Sequence, residues 1–107
     1  MFVMEAQELP ANNDPSSIAV DQAKLVFPLH LRHWVPGDVF QPFGMGGKRQ
    51  KLQDFFTNHK VSRFEKDKIW LLTNGDGALI WVVGMRLDHR FSTHAKTSKI
   101  LKFNWVT

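Results

Sequence analysis

Gly44, Gly46 and Gly47 are followed at once by Lys48 and Arg49 and, one residue on, by Lys51. Glycines leave backbone N–H groups bare of side-chain cover, and such groups can form a concave anion nest. Cations beside them add charge-assisted hydrogen bonds to phosphate or carboxylate oxygens. The chemistry this spacing offers is the holding of anions. It is not a Walker A loop, because Pro42 stands where the first glycine belongs and Arg49 where the Mg²⁺-binding hydroxyl belongs. It is not a dinucleotide fingerprint either, since Arg49 takes the place of the third glycine. No acid lies between Gln41 and Leu52. The same residues would also serve an ordinary surface loop, and on local grounds both readings stand.

Other reactive residue types are present without a constellation. There is no cysteine, so thiolate and disulfide chemistry are excluded and a cytoplasmic protein is the expectation. His30 and His33, three apart on a predicted strand, point to opposite faces, and His89 and His94 lack a third ligand nearby. No metal site is predicted. Ser62 and Ser98 have no activating neighbours. Asp76 reads as a turn residue and Asp88 as a surface residue, not as an acid pair. No catalytic residue is assigned.

The loop must be positioned by its flanks. The segment Trp34–Phe56 opens on a turn at Pro36, Gly37 and Asp38 and closes on Leu52, Phe55 and Phe56, spaced i, i+3, i+4 as one face of a short helix within 50–60. Ser62 and Glu65 form a capping-box pattern, which predicts a second short helix starting near Arg63. Residues 69–73 and 78–83 read as buried strands joined by the hairpin signal Asn74-Gly75-Asp76-Gly77. Residues 99–106 alternate, with Leu101, Phe103 and Trp105 inward. A strand within 18–28 is predicted with Leu25 and Phe27 on one face, and another over 29–35 with Arg32 exposed. Residues 1–20 read as a linker or lead-in rich in turn residues, and 21–107 as the folded domain. The fold class predicted is α+β: a small antiparallel, β-sandwich-like core with two short helices inserted midway. Phe55, Phe56, Phe64, Trp70, Trp81, Phe103 and Trp105 are assigned to the core, while Trp34, Phe40 and Phe43, which flank the basic loop, remain candidates for stacking on a base.

Charge supports a polyanionic partner. Residues 1–21 hold four acids and no Lys or Arg; the rest holds all 14 Lys and Arg against six acids, a net +8. Lys60 and Arg63 extend the basic residues beyond Lys51. The length allows one domain with one core, and no apolar run has the length of a membrane span.

The order of residues carries one further signal. Arg32-x-Trp34-x-Pro36-Gly37-Asp38-x-Phe40-x-Pro42-x-Gly44-Met45-x-Gly47-Lys48, Asp54-Phe55-Phe56, Arg63-x-Glu65-x-Asp67 and Trp81-Val82-Val83-Gly84-x-Arg86-x-Asp88-x-Arg90-Phe91 resemble the C-terminal domain of tRNA(Ile)-lysidine synthetase, from about Phe27 to Phe91. That resemblance implies a domain of a cytoplasmic ATP-dependent ligase that attaches lysine to the wobble cytidine of tRNA(Ile). ATP and Mg²⁺ are then used by an N-terminal catalytic domain with a Ser-Gly-Gly-x-Asp-Ser loop, which this sequence lacks. This chain alone would need no cofactor and would be non-catalytic. Its implied partners are tRNA(Ile), held at the acceptor stem, and that catalytic domain, with no membrane. The resemblance carries Arg32, Lys48, Arg49, Arg63, Arg86 and Arg90 over as RNA contacts; Lys51 and Lys60 come from the charge pattern, and Gly44, Gly46 and Gly47 shape the loop. The rival expectation is a structural module that packs on the catalytic domain or self-associates, its arginines spent on internal salt bridges.

Overall fold

A hairpin buried on both faces forms the middle of the molecule. In the computed structural model, which describes residues 2–6 and 16–105, strands β6 (Trp70–Thr73) and β7 (Leu79–Val82) pair antiparallel around the predicted turn. All four residues of β7 are buried. Successive side chains of a strand point to opposite faces. Leu71 and Leu72 of β6 divide in this way; Leu72, with the adjacent Ile80 and Trp81 of β7, enters one hydrophobic cluster with Ile18, Val20, Phe91, Leu101 and Phe103, beside the register irregularity between Leu72 and Thr73. Leu71, Leu79 and Val82 enter a second with Phe40, Leu52, Phe55 and Phe56.

The strands form three antiparallel sheets, the second of which has this hairpin at its centre. The first has the order β1 (Phe2–Ala6), β9 (Ile100–Trp105), β2 (Ser17–Asp21). The second runs β3 (His30–His33), β6, β7, β8 (Arg86–Leu87). The third is the small pair β4 (Val39–Phe40) and β5 (Gln50–Lys51), with Phe40 opposite Gln50. Between β5 and β6 lie the two helices, α1 (Leu52–Asn58) and α2 (Arg63–Lys66). The fold is thus the predicted α+β arrangement. Among the described residues no helix is long and apolar enough to cross a membrane.

Local chemistry explains both helices. Leu52, Phe55 and Phe56 are the buried face of α1. In α2 the Ser62 hydroxyl accepts from the Glu65 N–H, and the Glu65 carboxylate accepts from the Ser62 N–H, as a capping box requires. Hydrogen bonding from the Ser62 hydroxyl and from the Ser62 N–H to its carboxylate holds the Glu65 carboxyl below its usual pKa.

Several expectations need correction. The strand placed within 18–28 is confined to Ser17–Asp21. Asp21 ends it by accepting from the Ala23 N–H and capping a 3₁₀ turn at Gln22–Lys24. Leu25 therefore packs from a loop, and Phe27 is 54% exposed. Within the stretch read as lead-in, Phe2–Ala6 and Ser17–Asp21 are strands paired with β9, and Ile18 and Val20 are buried; residues 7–15 lie outside the described residues. Phe64, assigned to the core, is 71% exposed, because the single turn of α2 buries none of its residues; the Lys68 ammonium lies over its ring instead. Phe40, kept open for stacking, is 1% exposed and meets Phe55 edge-on. Arg32, expected on the surface, is half-buried, and Asp88 is fully buried.

Candidate nucleic-acid interface

The basic loop between β4 and β5 is shaped by three glycines with φ of +94° (Gly44), +66° (Gly46) and +81° (Gly47), a region that side-chain-bearing residues seldom adopt. Its tip is open. Its entry is fixed. The Phe43 N–H donates to the Leu87 carbonyl, the His89 N–H to the Gln41 carbonyl, and the Gln41 N–H to the Asp88 carboxylate. The loop is therefore fastened to β8 and to the 3₁₀ turn His89–Phe91 that follows it. Phe43 remains 48% exposed beside the loop, its ring loosely stacked on His89.

Asp88 is the organising group. Its Oδ1 accepts from the Arg90 N–H at 2.8 Å and from Arg90 Nε at 3.0 Å; its Oδ2 accepts from Arg90 Nη2 and from the Gln41 N–H, both at 2.9 Å. One buried carboxylate thus caps a turn, anchors the loop entry and aims a guanidinium. Asp38 does comparable work in the Pro-Gly turn. It accepts from Arg32 Nη1 and Nη2 at 3.0 and 2.9 Å and from the Val35 N–H at 2.8 Å. Burial alone would raise the Asp38 pKa; the bonds from Arg32 and Val35 and the Arg32 charge outweigh it, and the carboxyl titrates below its ordinary value. The hydrogen bonds to Asp38 and Asp88 raise Arg32 and Arg90 further above an already high value.

The residues singled out from sequence divide into groups. Arg32, Arg49 and Arg90 line one open cleft of about 400 Å³, walled by the Gly37–Gln41 segment and by Gly77–Leu79 of the central hairpin. Arg86 lies apart from them, donating from Nη1 to the Phe43 carbonyl and from Nη2 toward His59 Nε2 at 3.5 Å. Lys48, Arg49, Lys51, Lys60 and Arg63 are exposed and make no ion pair or side-chain hydrogen bond among the described residues. Lys60 sits just past α1 at φ +56° and Arg63 in the first turn of α2. Trp34 is half-buried, its indole N–H donating to Asp67 and its face covered by Lys66. Among the described residues no cluster of three or more His, Asp or Glu is placed to hold a metal. Sequence reasoning missed the two carboxylates; the signal present was their spacing, Arg-x-Asp-x-Arg at 86–90 and Arg32 six residues before Asp38.

The fold and this site can be set against known proteins. The family model of the TilS substrate C-terminal domain matches residues 29–105. A tRNA(Ile)-lysidine synthase of Parabacteroides distasonis is 46% identical over 99 residues, which cover 92% of this chain and 22% of that protein. The tRNA(Ile)-lysidine synthase of Bacteroides thetaiotaomicron is 37% identical over 86 residues, covering 80% of this chain and 20% of that protein. The chain thus spans about a fifth of the length of these curated relatives. A crystal structure of a TilS C-terminal domain superposes with a TM-score of 0.82 at 24% identity, covering 96% of this chain and 80% of that one, so the fold is shared.

Proposed function

The chain belongs to the TilS substrate C-terminal domain family, and from that premise we propose that it holds tRNA(Ile) for a lysidine-forming ligase. It grips the acceptor stem through phosphate and shape contacts. The deep groove of A-form RNA is closed to side chains, so base-edge readout there plays no part. In this reading a catalytic domain elsewhere in the same enzyme uses ATP and Mg²⁺ to join lysine to the wobble cytidine, in the cytoplasm. The observation that carries it is the set of cations without partners among the described residues, Lys48 and Arg49 on a glycine loop whose entry is hydrogen-bonded to the body of the domain and Lys51 just past it in β5. Arg32, Lys60, Arg63, Arg86 and Arg90 extend the contact surface.

A second reading has its own support. Arg32 and Arg90 are held in ion pairs within the chain. That is what a structural module packing on the catalytic domain would require of them. The test is tRNA(Ile) binding by this chain across a salt series, with Lys48→Ala/Arg49→Ala alongside. The expected result is salt-dependent binding whose log–log slope falls by about 1.5 in the double variant. Absence of binding at low salt by a folded chain decides for the structural module.

A further inference from the structure

The cleft framed by Arg32, Arg49 and Arg90 is more specific than a basic surface. Its guanidiniums come from three separate segments: strand β3, the glycine loop, and the 3₁₀ turn after β8. Two of them are aimed by carboxylates. A guanidinium carries five N–H donors. Arg32 uses Nη1 on the His33 carbonyl and Asp38, and one Nη2 hydrogen on Asp38. This leaves Nε–H and a second Nη2 hydrogen. Arg90 uses Nε and one Nη2 hydrogen on Asp88, which leaves both Nη1 hydrogens and a second Nη2 hydrogen. Arg49 has no partner among the described residues and brings all five.

We propose that this cleft is a subsite for one phosphodiester group, with Arg49 as the charged contact and Arg32 and Arg90 as oriented donors. Asp38 and Asp88 are the positioning residues. The inference rests on the RNA-holding reading and deepens it. Charge selects the ligand class. Asp38 and Asp88 already neutralise two guanidiniums, and Asp76, in the hairpin turn, adds its field at Arg90. Only Arg49 is uncompensated. Such a cleft suits a singly charged group with several acceptor oxygens, and not a doubly charged terminal monoester. At about 400 Å³ it exceeds a phosphate alone and leaves room for the flanking riboses.

The test uses this chain and a short RNA hairpin of tRNA(Ile) acceptor-stem sequence, made with and without a 5′-phosphate and with single neutral methylphosphonate linkages. Arg49→Ala should weaken binding roughly tenfold, as loss of one charge-assisted contact does. One neutral linkage should cost the same in the parent chain and nothing more in Arg49→Ala, while removal of the 5′-phosphate changes nothing. Arg90→Lys, which keeps the charge but loses the fork and its two bonds to Asp88, should weaken binding severalfold, measured at a temperature where circular dichroism shows the chain still folded although its melting point is lowered. Asp38→Asn should abolish the response of the Arg32 Nε–H resonance to dimethyl phosphate and leave that of Arg49, which loss of a merely structural contact would not do. If no linkage couples to Arg49, or if the 5′-phosphate accounts for the loss, the subsite is overturned while RNA binding stands. If the hairpin does not bind, the RNA-holding reading fails. Dimethyl phosphate then judges the cleft alone, and silent Arg32 and Arg49 Nε–H resonances overturn it.

Discussion

Asp88 has no exposed surface, yet it accepts four hydrogen bonds from two residues. Replacing it with alanine strands the Gln41 and Arg90 N–H donors and frees the Arg90 fork. The expected cost is about 3 kcal/mol, at the low end for a broken buried pair because Arg90 is 42% exposed and partly solvated. Urea unfolding of Asp88→Ala measures it. Asp38 makes a pH prediction. Its folded pKa lies below the ordinary value of 3.8, so its stabilising effect is complete above the unfolded pKa and is lost as pH falls through the folded one. Asp38→Asn should therefore lower stability at neutral pH and flatten the acid limb below about pH 4, followed by urea midpoints at several pH values. The cations of the site were legible from residue type. The acids were not, because a lone Asp in a polar stretch looks like a surface residue until the fold shows what it meets.

At the scale of elements, the Asn74-Gly75 pair shows how a correct prediction can omit its main constraint. The hairpin turn forms as its sequence foretells. The pair also receives the loop that precedes β3. The buried Asn74 side chain accepts from the Val26 N–H at 2.7 Å and donates to the Lys24 carbonyl, and the Gly75 N–H donates to the Val26 carbonyl. A Cβ on Gly75 would stand 2.4 Å from that carbonyl oxygen. Gly75→Ala should thus destabilise by about 2 kcal/mol through overpacking, even though the turn itself tolerates alanine. Thermal melting beside Gly77→Ala, where φ is +93° and nothing lies within 4 Å, separates the two causes. The helices were legible because their signals are local, a capping box and an i, i+3, i+4 face. Phe64 was misplaced because helix periodicity states which residues share a face, not whether another element covers it.

Across the whole molecule, the first sheet joins distant parts of the chain. Leu101 and Phe103 of β9 face β2 partners Val20 and Ile18, and the cluster they form holds one face of the hairpin. Phe103→Ala should cost about 4 kcal/mol as a large cavity in a closed core. Exchange protection across β2 and β9 should fall with it, as read by amide hydrogen exchange. That long-range pairing was only half legible. The alternation of β9 announces a strand, but its position between β1 and β2 is a matter of topology.

The hairpin buried on both faces also carries an expectation about the order of events in folding. Its strands meet across the short turn at 74–77, so closing them costs little chain entropy. Strand β9 must find β2 some eighty residues away, counted from Asp21 opposite Ile100. Once closed, the hairpin offers an apolar surface to each side. The helical face of Leu52, Phe55 and Phe56 can condense on one and the β1–β9–β2 sheet on the other. The outcome expected is a transition state polarised on Leu71 to Val82, with high φ values there and low ones in the glycine loop, whose entry depends on contacts to residues 86–91.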